Sequence, residues 1–566
     1  MSTYNQDHDS IHHQVLTAYI QFTGRAAPWQ VIPGDVLTGA SPHPYPAGLH
    51  RLAALVGAAA GDPVSGLNAT LIVLCAIAWT LGAAALTAAV LRTANAAPCW
   101  QLAGAGVTAL LAAEAYRPVM QYVRDNGVMA NAVALALTPG VVAVLLSLRR
   151  AVSGATILAG LACAGVVAVH PSSVVSVGIT TVAVILGQLT SRTFRRALPD
   201  VLRALLPTGA VAAVFAIPTA LGALGAAAGT SQYPPTESGV PIARSLGHIV
   251  AVPYGGFLDP SDQLNQPVLL VLVCLGLAGT LLLRRGIGIT LAWAAWVVIS
   301  ALMYADPLKP PIAFVGAFFY NSASRVVAHV GILVPGLGAF GVLSVAVGAR
   351  AGAAAAARVL SARRAGTRRK PVGNGLPALV AAGVLTLICL GYALVPSAAD
   401  ATRNAAALGD RWSTPEFDRV NEHDRAAAQF LADNVRPGQR VMNSANDGST
   451  YAYVKYRVPV VNISTLGSDG QPYTYELLES FNTLETNQAI RSEVVDLNIA
   501  WVYVDLGAPV IGSPYTPANW YKDPLFVLAP GLNGLATVPE LSLAFASGEV
   551  SVYRVDLARL RNSPAS

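Results

Sequence analysis

The stretch GVMANAVALALTPGVVAVLLSLRRAVSGATILAGLACAGVVAVHP, Gly127 to Pro171, decides the fold. It holds no Asp, Glu or Lys, and its arginines, Arg149 and Arg150, stand together between two apolar runs. A helix needs about 20 apolar residues to cross a hydrocarbon core of roughly 30 Å, and each run comes near that length. Lipid offers no partners for backbone N–H and C=O groups, so such runs must satisfy them internally as helices. Basic residues are retained on the cytoplasmic side, so the arginine pair marks an inner loop. His170-Pro171 then falls at the opposite face.

Outward from this stretch the pattern repeats, predicting about ten transmembrane helices. They lie near 67–92, 98–116, 127–148, 151–169, 172–190, 201–227, 267–284, 286–304, 327–348 and 376–396. Further inner loops carry Arg192, Arg195 and Arg196, then Arg284 and Arg285, then Arg350, Arg358, Arg363, Arg364, Arg368, Arg369 and Lys370. The intervening loops are poor in Lys and Arg, and the alternation puts residues 1–66 and 397–566 outside the cytoplasmic membrane. No span precedes residues 1–66 to carry them across, so either a first helix is missing upstream, the favoured expectation, or the segment is translocated as an N-terminal tail. The chain is thus read as a mainly α membrane protein in three parts. These are an extracytoplasmic first loop (1–66), a helical bundle (67–396) and an extracytoplasmic α/β domain (397–566).

Composition agrees. Of 566 residues, 54% are hydrophobic and 12% charged, against about 25% charged in soluble domains. That excludes a water-soluble enzyme, a disordered chain and a disulfide scaffold. The net charge of +6 lies largely in short inner loops and reads as topology, not as nucleic-acid binding. Cys75, Cys99, Cys163, Cys274 and Cys389 sit in or beside apolar segments and suggest neither a disulfide framework nor a zinc site. Gly336-Leu337-Gly338-Ala339-Phe340-Gly341 matches G-x-G-x-x-G literally, but inside a span it reads as close helix packing. No Walker A, H-E-x-x-H or G-x-S-x-G motif is present.

The first loop is patterned. Ile11, Val15, Tyr19 and Phe22 share one helical face, and Gly24 stops the helix. A second helix is expected from Pro46, in Tyr45-Pro46-Ala47-Gly48-Leu49-His50-Arg51. Both are predicted to lie along the membrane interface. Asp9 and His13, four apart, share a face near the positive end of the first helix. An Asp just ahead of an apolar run equally reads as an N-cap. The loop 228–266 holds Arg244 and His248, and Tyr320 to Arg325 precedes His329 at the mouth of a span. Arg325 suits a lipid phosphate or a snorkelling anchor. Glu114 and Arg117 read as an ion pair. In the tail, 424–434 and 449–456 are expected as helices and 440–443, 458–462 and 500–505 as strands.

This order of parts resembles the GT-C superfamily of membrane glycosyltransferases, and more narrowly an actinobacterial family of that architecture. The stretches that carry the resemblance are Asp9-Ser10-Ile11-His12-His13, Tyr45 to His50, His170-Pro171, Tyr320 to Arg325 and Asp424 to Tyr453. The resemblance implies transfer of a sugar from a polyprenyl-phosphate donor to a cell-envelope glycan or lipid at the outer face, in place of a nucleotide sugar. It makes Asp9 the catalytic base, with Asp7 as second candidate. His13, His50, Arg325, His329, Arg244 and His248 become donor or phosphate contacts. No cofactor is implied; a divalent metal is compatible with the chemistry but not required. An envelope-lipid flippase and a scaffold with a glycan-binding tail are the alternatives.

Overall fold

The computed structural model describes residues 4, 8–31, 45–124, 127–230, 235, 238–251, 265–363, 375–413, 418–444, 447–463, 472–508 and 528–562. It divides into two compact units. One comprises Met1–Leu71, Tyr122–Met129 and Ala407–Ser566, the other Ile72–Gln121 and Ala130–Ala406.

In chain order the first helices are α1 (His8–Thr23), α2 (Gly48–Ala60), α3 (Pro63–Thr93) and α4 (Pro98–Glu114). Then come α5 (Met129–Ser147), α6 (Gly154–Val169), α7 (Ser173–Gln188), α8 (Arg192–Thr230) and α9 (Ile242–Ala251). The apolar series ends with α10 (Pro267–Leu283), α11 (Ile287–Ala305), α12 (Ala323–Ser361) and α13 (Gly375–Gly409). Among the described residues six helices, α3, α5, α8, α11, α12 and α13, are long and apolar enough to cross a membrane. Each span expected from the sequence coincides with one of these helices or with α4, α6, α7 or α10.

Inside the bundle, small residues set the helix spacing. A Cβ on Gly276 of α10 would lie 1.9 Å from the Leu337 carbonyl oxygen of α12, and one on Gly341 would lie 2.1 Å from the Leu272 carbonyl oxygen. The backbones therefore touch where the literal G-x-G-x-x-G falls, which is the packing role expected for it.

The polar unit is built on a four-stranded sheet. Its strands are β1 (Arg440–Met442), β2 (Ile499–Asp505), β3 (Leu541–Ser547) and β4 (Val550–Val555), in the order β1-β2-β4-β3. β1 and β2 are parallel, and the other pairs antiparallel. The helices are α14 (Glu422–Asn434), α15 (Thr450–Tyr456), α16 (Pro472–Ser480), α17 (Gln488–Asp496) and α18 (Leu557–Asn562). β2 is buried on both faces, with Trp501 and Tyr503 in one core and Val502 and Val504 in another.

Two expectations change here. Residues 458–462 form a single bridge, Val441 to Val460, in place of a full strand, because the three-residue β1 offers no longer partner. The first loop and the tail, taken from the sequence as separate domains, share one core. Ile11, Val15 and Tyr19 of α1 are buried with Val441, Tyr453, Val454, Val460 and Tyr503. The apolar face expected on the membrane interface is instead spent on covering one side of the sheet.

Gly341→Leu must push α12 away from the Leu272 carbonyl, an overpacking cost of about 3 kcal/mol. Gly348, whose Cβ would meet open space, supplies the control. Thermal unfolding in mild detergent should show a clear loss for Gly341→Leu and none for Gly348→Ala.

Candidate active site

Within the polar unit, α1 and α2 lie side by side. His13 Nδ1 and His50 Nε2 are 2.9 Å apart, and the rings stack at 5.0 Å between centroids. Eight residues further along α1, the Gln21 Oε1 atom would lie 2.4 Å from a Cβ on Gly57 of α2. Both contacts advance in the same chain direction, so the two helices run parallel. Tyr45 closes the cluster, edge-on to His12 at 5.1 Å and to His50 at 5.8 Å. Tyr45 and His12 thus join a cluster that their places in the sequence do not mark.

Asp9 lies in the first turn of α1, where the helix dipole favours an anion. Ser10, its neighbour, is fully buried. A Cβ on Gly127 would strike the Ser10 hydroxyl oxygen at 1.8 Å, and Gly127 has φ +67°. Only glycine allows this approach, and it fixes the start of the helix beside Asp9. Asp7 lies outside the described residues.

His50 is fully buried, and burial, followed by the His12 charge, pushes it down to about 3. A neutral His50 accepts a hydrogen bond from the His13 Nδ1–H whether His13 is neutral or protonated. It can donate only to a neutral His13. The pair therefore carries at most one positive charge, on His13, one helical turn from Asp9.

The bundle holds the other candidates. Tyr320 and Asn321 are consecutive residues with left-handed φ of +57° and +52°, a conformation that costs about 1–2 kcal/mol per residue. This turn carries the Tyr320 ring under the Arg325 guanidinium, 4.5 Å from its centroid. His170, between α6 and α7, bonds Ser172 Oγ at 2.6 Å. Burial first, then the Arg325 charge, lowers it to about 3. His248, half-buried on α9, meets Tyr304 edge-on at 5.6 Å, and Arg244 is exposed on the same helix. Burial lowers His248, and so does the charge of Arg117.

Arg117 is 6% exposed, and its charge acts on His248. His329, expected at the donor, has both ring nitrogens engaged. Nε2 pairs with Ser176 Oγ at 2.7 Å and Nδ1 with the Val326 carbonyl at 3.0 Å, while Trp296 stacks on the ring at 3.9 Å. These contacts hold the His329 ring between α7 and α11. Among the described residues no group of three or more His, Cys, Asp or Glu could hold a metal.

Residues 1–557 match a family described as a family of unknown function, DUF6541. The chain belongs to DUF6541. No curated protein sequence matches it. Its fold is similar to that of ArnT from Cupriavidus metallidurans in the apo state, with a TM-score of 0.51 at 12% identity over 99% of this chain and 95% of ArnT. It is also similar to the apo oligosaccharyltransferase of Archaeoglobus fulgidus, with a TM-score of 0.45 at 13% identity over 89% of this chain. This DUF6541 chain spans 66% of that enzyme's length. A further similar structure is the archaeal oligosaccharyltransferase AglB from Archaeoglobus fulgidus in complex with an inhibitory peptide and a dolichol-phosphate, with a TM-score of 0.43 at 14% identity. The DUF6541 chain thus shares a fold with ArnT, and its long apolar helices are those of a membrane protein.

Burial keeps His50 neutral in the fold down to about 3, against 6.5 for an unburied histidine. A folded value below the unfolded one gives stability that is complete above the unfolded value and lost as pH falls below it. Thermal midpoints at about pH 7.5 and about pH 5 should therefore differ less in His50→Gln than in the parent.

Proposed function

We propose that this DUF6541 protein is a glycosyltransferase of the cytoplasmic membrane. It moves a sugar from a polyprenyl-phosphate donor to a cell-envelope glycan or lipid at the outer face. The observation that carries this reading is the placing of Asp9 in the first turn of α1, four residues before His13, whose ring meets the buried His50. The GT-C fold shared with ArnT supports it.

In this reading Asp9 takes the proton of the acceptor hydroxyl as that oxygen bonds the anomeric carbon. The bond from the anomeric carbon to the phosphate oxygen breaks on the opposite side, and the lipid phosphate leaves with the electron pair. Arg325 is the candidate among the cationic residues for holding a lipid phosphate, since a guanidinium meets such a charge bidentately. His13 is a second phosphate or sugar contact, oriented by His50. Arg244 and His248 are further donor contacts, and Asp7 is the second candidate for the base. A lipid-borne donor suits an outer-face enzyme, where nucleotide sugars are not generally available.

Asp9→Asn keeps the size of the side chain and removes the base. Turnover of a polyprenyl-phosphate sugar should drop by about 10²-fold or more, with polyprenyl-phosphate binding retained. Full turnover in Asp9→Asn would remove Asp9 from the role. Movement of labelled lipid across vesicles with no sugar product would favour the flippase, and unchanged envelope composition in cells carrying the variant would favour the scaffold.

A further inference from the structure

We infer that α15, a short helix of the C-terminal segment, is a positioning element that fastens both helices of the histidine pair. Lys455 Nζ reaches Asp62 Oδ1 at 2.9 Å, in the turn that ends α2. Asp62 also accepts the Ser65 N–H at 2.8 Å. Burial alone would raise its pKa, but the hydrogen bonds from Ser65 and Lys455 hold it below the usual carboxylate value. Two residues on, Arg457 Nη2 donates to the Phe22 carbonyl at 3.2 Å, in the last turn of α1, and its guanidinium lies 5.6 Å from the Phe22 ring centroid. Tyr453 meets Phe22 edge-on at 5.9 Å, and Tyr451 meets Tyr4 at 5.1 Å.

The other side of α15 is held firmly. Asp447 Oδ1 accepts the Ser449 N–H at 2.8 Å, and Asn443 Nδ2 donates to Ser449 Oγ at 2.7 Å. A Cβ on Gly448 would lie 2.4 Å from the Arg419 carbonyl oxygen and 2.6 Å from Asp424 Oδ1. Tyr503 donates to that same Asp424 oxygen from β2. The turn into α15 is therefore set by the sheet core.

The consequence falls on the site. α1 and α2 meet at His13–His50 and at Gln21–Gly57. α15 grips each helix at its C-terminal end, beyond the second contact, and so sets the spacing at the first. Lys455 and Arg457 are exposed, so each bond alone is weak; together with the aromatic contacts they hold register. The inference rests on the proposed function only where it concerns turnover.

The test is the double variant Lys455→Ala/Arg457→Ala of the full chain in mild detergent. Histidine modification by diethyl pyrocarbonate is followed peptide by peptide by mass spectrometry. His13 should label roughly fivefold faster than in the parent, while His329 in the bundle stays protected. The pair Lys455→Arg/Arg457→Lys should restore protection. If the enzyme is active, kcat should fall with KM little changed. Unchanged His13 labelling would overturn the inference, and so would equal loosening at His329. Faster His13 labelling in a protein that transfers no sugar would uphold α15 and overturn the transfer reading.

Discussion

The burial of one face of α1 in the core of the C-terminal sheet is the contact on which the site depends. Alone, a 16-residue helix is marginal in water. Packed against Tyr453, Val454 and Tyr503 it becomes a fixed rod carrying Asp9 at one end and Phe22 at the other. α2 gains its place by docking on that rod through His50 and Gly57. The histidine pair is a product of this assembly, and so is the neutrality of His50, since burial is the larger of its two causes.

The bundle follows a different rule. In lipid the hydrophobic effect does not bring apolar helices together, and close backbone approach at small residues does that work. Gly276 and Gly341 supply it between α10 and α12. Polar side chains in the bundle are correspondingly committed. His329 with Ser176, and Trp296 with Thr180 at 3.0 Å, are hydrogen-bonded pairs that tie helices α7, α11 and α12. The strained Tyr320–Asn321 turn is a contrast, and strain of this kind persists only where the surroundings over-determine it.

Much of this was legible in the sequence. Hydropathy is a local property, so each expected span fell on a helix. The 3.6-residue period of Ile11, Val15 and Tyr19 correctly marked a buried face. Period states that a face is covered, not by what, and so the tail was not foreseen as the cover. The β3–β4 hairpin was missed although Leu541, Leu543 and Phe545 alternate with small residues, a short pattern on a largely exposed edge strand. Asp9, His13 and His50 were found as separate residues, while the hydrogen bond that joins the two histidines across 37 positions was not. The contacts of His329 were not legible, because a polar residue at a span end looks the same whether it meets a ligand or a serine on the next helix.

The central claim is that this membrane fold serves a sugar carried on a lipid phosphate. Native mass spectrometry of the intact protein, released from mild detergent, tests it most directly. The account predicts a retained polyprenyl phosphate, with or without its sugar, that is weakened by Arg325→Ala. A folded protein that carries only bulk phospholipid, unchanged by that substitution, would contradict it.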